Sequence, residues 1–248
     1  MEAIFIMWQR QVKTFVRVKH RLFGSLAQPV LFMVAFGFGF GPTVEKAGNG
    51  SYIQYLIPGI IGMTILFGSV MNGMSLIWDK QFGFLKETLV APVPRINLLM
   101  GRCLGGATTS FLQGVIVFII GLFIGFKVHN WPLLIPTAIV MFTTSLMFTL
   151  FGTAIASKVG DMQAFPTIMN LLLMPMFFLS GALFPLENLP GVIKSITIIN
   201  PMTYCVDLLR YFLVNQFNFG LFTDLGIVIV LLAVFSIAGV SLFNRMET

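Results

Sequence analysis

A 248-residue chain that is 57% hydrophobic and only 10% charged, with a mean hydropathy of +0.93, has too little polar surface for water, where about 25% charged residues is usual. That balance excludes an ordinary water-soluble domain, and the length suits about six helices of about 20 residues with short loops. The net charge of +6 lies on particular segments, so it reports membrane orientation rather than nucleic-acid binding.

Residues 1–21 place Ile4, Trp8, Val12 and Phe15 at helical spacing, with Gln9, Arg10, Lys13, Arg17 and Lys19 filling much of the opposite side. The pattern predicts an amphipathic interface helix, Trp8 at headgroup level and Arg10, Lys13 and Arg17 toward anionic lipid. A signal peptide fits less well, because the basic part is long and no A-x-A site follows the apolar run.

Residues 22–248 read as a six-span membrane domain. Spans are expected over 22–40, 55–78, 103–126, 132–156, 164–184 and 224–243. Pro166 and Pro175 should kink or divide the fifth. Between the fifth and sixth, the stretch 185–223 keeps Val192, Ile193, Ile196 and Ile199, then Tyr204, Leu208, Tyr211 and Phe212, at helical spacing. Two short re-entrant helices in the outer leaflet are expected there, each too short to cross alone. The fold class is an all-α membrane protein. With the N-terminus inside, the inner segments hold 11 of the 15 Lys and Arg residues. That asymmetry places both termini in the cytoplasm of a multi-pass plasma-membrane protein.

Chemistry is sparse. The sequence has no GxxxxGK[ST] loop, no HExxH and no Cys/His cluster, and Cys103 and Cys205 form no CxxC pair. No catalytic, cofactor or metal site is expected on this chain. The middles of the six spans lack ionisable residues, and Asp161 and Asp224 read as solvated span ends. An ion-coupled carrier or an intramembrane enzyme would need polar groups at depth. A transporter energised by another subunit would not.

Such a machine needs a stiff cytoplasmic handle. The segment 79–102 offers Phe82, Gly83, Phe84, Leu85, Lys86 and Glu87, then Pro92, Pro94 and Arg95. The apolar members suit a groove on a partner, Lys86 and Glu87 suit its register, and the prolines stiffen the exit. A solvated connector is the plainer alternative. For cargo, the fifth span offers Met169, Asn170, Met174, Phe177 and Ser180, since methionines adapt to irregular apolar ligands. Core or lipid-facing roles are the alternative.

Three stretches carry a resemblance. They are Asp79–Glu87 with Ala91–Arg95 and Gly101–Arg102; Ser180–Pro190, reading SGALFPLENLP; and Asn200–Tyr204 with Val206, Asp207 and Arg210. In this order, with the six-span layout, they resemble the ATP-binding-cassette type-2 permeases, membrane subunits of bacterial and archaeal exporters, in their drug-resistance-like branch. The resemblance implies a homodimer working with two ATPase subunits, which hold the ATP and Mg. It implies that the N-terminal helix and the segment 79–102 contact the ATPase, and that cargo leaves between the two permease copies. Drug-like or lipid-like cargo is expected; lipid-linked polysaccharide is the alternative, disfavoured by only three Trp and four Tyr.

Overall fold

The computed structural model describes residues 2–46, 51–84, 93–186 and 190–245, without the side chains of 19–21 and 43–46. Among these residues there are ten α-helices and no strand. Helix α1 covers Glu2–Arg17 and α2 covers Lys19–Lys46. Helix α3 (Tyr52–Asn72) runs through Gly73, itself helical at φ −57° and ψ −30°, into α4 (Met74–Gln81). Then come α5 (Arg95–Ile124), α6 (Leu134–Lys158, entered by a 3-10 turn at Trp131–Leu133), α7 (Ala164–Phe178), α8 (Gly191–Ile199), α9 (Pro201–Val214) and α10 (Leu221–Asn244).

Five stretches are long and apolar enough to cross a membrane: Leu22–Pro42, Tyr52–Gln81, Arg95–Ile124, Trp131–Lys158 and Leu221–Asn244. The predicted fifth span is shorter than expected. Helix α7 has 15 residues, about 22 Å at 1.5 Å per residue, against a hydrocarbon core of about 30 Å. Neither proline divides it. Pro166 lies in the first turn, where no intrahelical donor is lost, and the helix continues past Pro175 to Phe178. What ends it is Gly181, at φ +75°, a left-handed conformation that glycine takes without penalty.

The re-entrant pair forms as the periodicity predicts, with α8 and α9 bent by 84°. Asn200 makes the corner: its side chain accepts from the Met202 N–H (3.0 Å) and donates to the Met176 carbonyl (2.6 Å). Pro201 follows as the first helical residue. The two helices differ in burial. Helix α9 is buried along Met202–Arg210, whereas Val192, Ile196 and Ile199 of α8 are exposed.

Helix α3 is the centre of the bundle, with 67% of its apolar window buried, and α10 is peripheral at 11%. Helix α2 sits at an edge. It buries Leu26, Pro29, Met33 and Gly37, one stripe at helical spacing, and leaves Phe23, Leu31, Val34 and Phe38 outside. Helix α6 carries hydroxyls into this apolar setting and returns most of them to its own backbone, Thr144 excepted. Thr137, Ser145, Thr149, Thr153 and Ser157 each donate to the carbonyl four residues back, at 2.7–2.8 Å.

Helix α1 is built differently from a helix resting on lipid. It packs chiefly on α5, at Gly101 and Gly105. A Cβ on Gly101 would stand 2.6 Å from the Ile4 carbonyl oxygen, and one on Gly105 would stand 2.6 Å from the Gln11 Cβ. Only glycine lets the two helices come this close. Met7 and Phe15 are buried in the contact face.

Candidate functional site

Three places gather the polar side chains of the bundle: the end carrying α1, called basal here, a cleft along α3, and the opposite, apical end. The basal cluster is an ion-pair bridge. Asp79, near the end of α4, accepts from Arg10 Nη2 of α1 (2.9 Å) and from Arg102 Nη2 of α5. Arg102 is buried and Arg10 is 42% exposed, so the two pairs differ in worth. Nearby, Trp8 Nε1 donates to Thr108 Oγ1 (3.0 Å). Two expectations change here. Trp8 and Arg10 turn toward protein, not toward headgroups, because α1 is clamped on α5; Lys13 and Arg17 remain exposed.

Beyond Asp79 the chain projects. Trp78, Phe82 and Phe84 are exposed, with the Trp78 and Phe82 rings 5.9 Å apart. Gly83 turns the chain at φ +80°. Arg95 is exposed and donates to the Asn244 carbonyl (3.1 Å), tying the start of α5 to the end of α10. Leu85, Lys86, Glu87 and Pro92 lie outside the described residues.

The cleft has a volume of about 310 Å³ and walls from α1, α2, α3, α5 and α7. Phe15, Met63, Phe67 and Met71 supply its apolar surface; Ser25, Gln28, Thr64, Asn72, Gln113 and Asn170 supply its polar surface. Of the five pathway residues expected from sequence, Asn170 lines this cleft. Met169 and Phe177 do not; they belong to the buried i, i+4 stripe Phe165, Met169, Leu173, Phe177 that fastens α7 to the core. Met174 is half-buried. Ser180 is buried, donates to the Phe177 carbonyl (2.6 Å) and accepts from the Ala182 N–H (3.3 Å), a turn-forming role. Beside Asn170, three amides that were not among the expected residues line the cleft: Gln28, Asn72 and Gln113. Their place within otherwise apolar helices was the available signal.

The apical end is pinned. The Tyr52 hydroxyl donates to the Leu183 carbonyl (3.0 Å), and the Tyr55 hydroxyl donates to the Gly181 carbonyl (2.7 Å). Arg210 of α9 donates to the same Gly181 carbonyl (3.0 Å) with its guanidinium 3.8 Å over the Tyr55 ring. Gly59 has the Ala182 backbone where a Cβ would stand. Asp207 accepts from the Asn218 backbone N–H (2.8 Å), the Asn218 Nδ2 (2.7 Å) and the Phe219 N–H (3.1 Å). Arg210, expected in an outer polar segment, and Asp224, expected at a solvated end, are both buried. Asp224 faces Asp207, and neither of its oxygens meets a donor among the described residues. The re-entrant helices bring these charges inside, which spacing alone does not reveal.

No group of three metal-ligating side chains occurs among the described residues. Cys103 and Cys205 are buried free thiols.

The sequence pattern of the ABC-2 type transporter family matches residues 2–214. The chain belongs to that family. This ABC-2 permease is 27% identical to the putative transport permease ycf38 of Cyanophora paradoxa, over 99% of this chain and 89% of the relative. It is 27% identical to the inner membrane transport permease YadH of Escherichia coli K12, over 98% and 95%. It is 24% identical to nodulation protein J of Rhizobium leguminosarum bv. viciae, over 90% and 86%. The permease is a multi-pass membrane protein of a family that works with ABC ATPases.

Proposed function

We propose that this permease forms half of the pathway of an ATP-driven exporter, with a second copy of the chain as the other half and a separate ATPase as the motor. One observation carries the reading. A single 30-residue helical stretch, Tyr52–Gln81, holds the apical tyrosine pins, the cleft wall at Met63–Asn72 and the exposed aromatic Trp78. A push on the exposed tip at Trp78, beside Phe82, therefore reaches the cleft along one helical stretch. The bridge at Asp79 carries the same push to α1 and α5. ATP and Mg belong to the partner ATPase.

The basal end is cytoplasmic in this reading, because Arg10, Lys13, Arg17, Lys80, Arg95, Arg102 and Lys158 gather there. Cargo is amphiphilic and moves outward, its apolar part against Phe15, Met63, Phe67 and Met71 of the cleft. The outward faces of α2 and α7, with Leu31, Phe38, Leu171 and Leu172 exposed, meet the second copy.

The test is co-reconstitution with the cognate ATPase and an amphiphilic dye. ATP-dependent dye movement is expected, and Phe82→Ala with Phe84→Ala should remove the ATP dependence while leaving the fold intact. Dye movement by the permease alone, without any ATPase, would overturn the reading. So would reaction of a Phe84→Cys variant only with label added outside the cell.

A further inference from the structure

We infer that the cleft selects a neutral polar head, one rich in hydroxyl or amide groups, and rejects an anionic one. The inference rests on the reading of this cleft as the cargo site and goes on to name the chemistry of what enters.

Four of the cleft's polar side chains are already committed. Gln113 Nε2 donates to Ser25 Oγ (2.7 Å), which in turn donates to the Leu22 carbonyl (2.9 Å). Asn72 Nδ2 lies within hydrogen-bond distance of the Gly106 carbonyl, Thr109 Oγ1 and Ser110 Oγ, at 3.0–3.1 Å. These bonds hold α2, α3 and α5 at fixed spacing around the space. Thr64 returns its proton to the Ile60 carbonyl (2.8 Å).

Gln28 and Asn170 are different. They stand on two walls, α2 and α7, both exposed, and both amides are without a hydrogen-bond partner among the described residues. Gln28 lies six residues inside the apolar window that begins at Leu22, and Asn170 lies six residues from the start of α7 at Ala164. At 1.5 Å per residue that is about 9 Å along each helix. Both amides thus lie about as far along their apolar helices and line the same cleft, where a hydrogen bond left unmade away from water is costly.

Each amide offers N–H donors and a carbonyl acceptor. A hydroxyl or amide head uses both kinds. A phosphate accepts only, so it would leave the Gln28 and Asn170 carbonyls unmatched. No charged side chain lines the cleft among the described residues, so a phosphate would also be desolvated without a counter-ion. The volume of about 310 Å³ is at the small end of the roughly 300–1,000 Å³ of ligand pockets. It admits a compact head and the adjoining part of a tail, with the remaining tail outside.

The experiment compares two photocrosslinkable probes with identical tails, glucosylceramide and ceramide 1-phosphate, on the full-length permease in nanodiscs without ATPase. Saturable crosslinking within α2 and α7 is expected to favour glucosylceramide by about tenfold, the worth of one or two well-made hydrogen bonds. Gln28→Leu with Asn170→Leu should erase the preference with helicity unchanged. Asn170→Lys should raise the ceramide 1-phosphate yield. Equal yields, preference for the phosphate, or an undiminished preference in the double-leucine variant would each overturn the inference. So would a finding that neither probe crosslinks and the double-leucine change alters only the oligomeric state, since the amides would then serve the second copy. The readout needs no ATP, so selective binding without ATP-driven transport would defeat the exporter reading and leave this one standing.

Discussion

Replacing Asp79 by Ala removes the centre of the basal bridge and strands Arg102. The two arginines give unequal losses. Among the described residues Arg102, which is buried, keeps only a long contact with Ser75 Oγ (3.5 Å), whereas Arg10 is 42% exposed and can return to water. Removing one partner of a buried pair costs about 3–5 kcal/mol, while an exposed pair contributes about 0.2–1 kcal/mol. Asp79→Ala should therefore lower stability by about 3–5 kcal/mol, and Arg10→Ala by about 1 kcal/mol or less. Arg102→Ala should fall between them, because Asp79 retains Arg10. A combined Asp79→Leu, Arg102→Met variant fills the space without charge and should recover most of the loss. Reversible unfolding of the purified permease in mixed micelles measures all four. If Asp79→Ala is no worse than Arg10→Ala, or if the charge-free pair is as unstable as Asp79→Ala, the bridge does not hold the basal end as described.

Other expectations follow from the same contacts. Gly105→Leu should displace α1, since even a Cβ there meets Gln11 at 2.6 Å; faster proteolysis of α1 with the remaining bundle intact is the expected readout. Tyr55→Phe removes the bond to Gly181 but keeps the ring under Arg210, so it should cost about 1 kcal/mol. Tyr55→Ala should cost at least about 1 kcal/mol more, through the lost cation–π contact and packing. Asp224→Asn supplies an N–H toward Asp207, where the Asp224 carboxyl now faces Asp207 and meets no donor among the described residues. It should hold or raise thermal stability, whereas Asp207→Ala, which frees the Asn218 and Phe219 N–H groups, should lower it by about 1–3 kcal/mol.

Much of the architecture was legible because lipid simplifies the pattern. Uninterrupted apolar runs marked α3, α5, α6 and α10, and the 3.6-residue spacing around Val192 and Tyr204 separated α8 from α9. The early end of α7 was not legible, since it depends on Gly181 being seated against α3 and on Ala182 filling the place of a Gly59 side chain. The site was harder still. Asp79 and Arg102 are 23 residues apart and read as two loop charges until α4 and α5 are placed side by side. The amphipathic pattern of α1 described a helix with two faces, but it could not say that protein rather than lipid covers one of them. That answer lay in Gly101 and Gly105 on another helix. Met169 and Phe177 shared a composition with pathway linings, and only the rotation of α7 assigns them to the core.

The unbroken run from Tyr52 to Gln81 has a mechanical consequence. Thirty residues make a rod about 45 Å long, half again the thickness of the hydrocarbon core. Its apical end is tethered by two phenol hydroxyls, so any tilt must pivot there. A rotation of about 5° then sweeps the far end through about 4 Å, and the wall at Asn72 through about two-thirds of that. The gearing between an outside force and the width of the cavity is thus fixed by where along one rod the tethers, the cleft wall and the aromatic tip happen to fall.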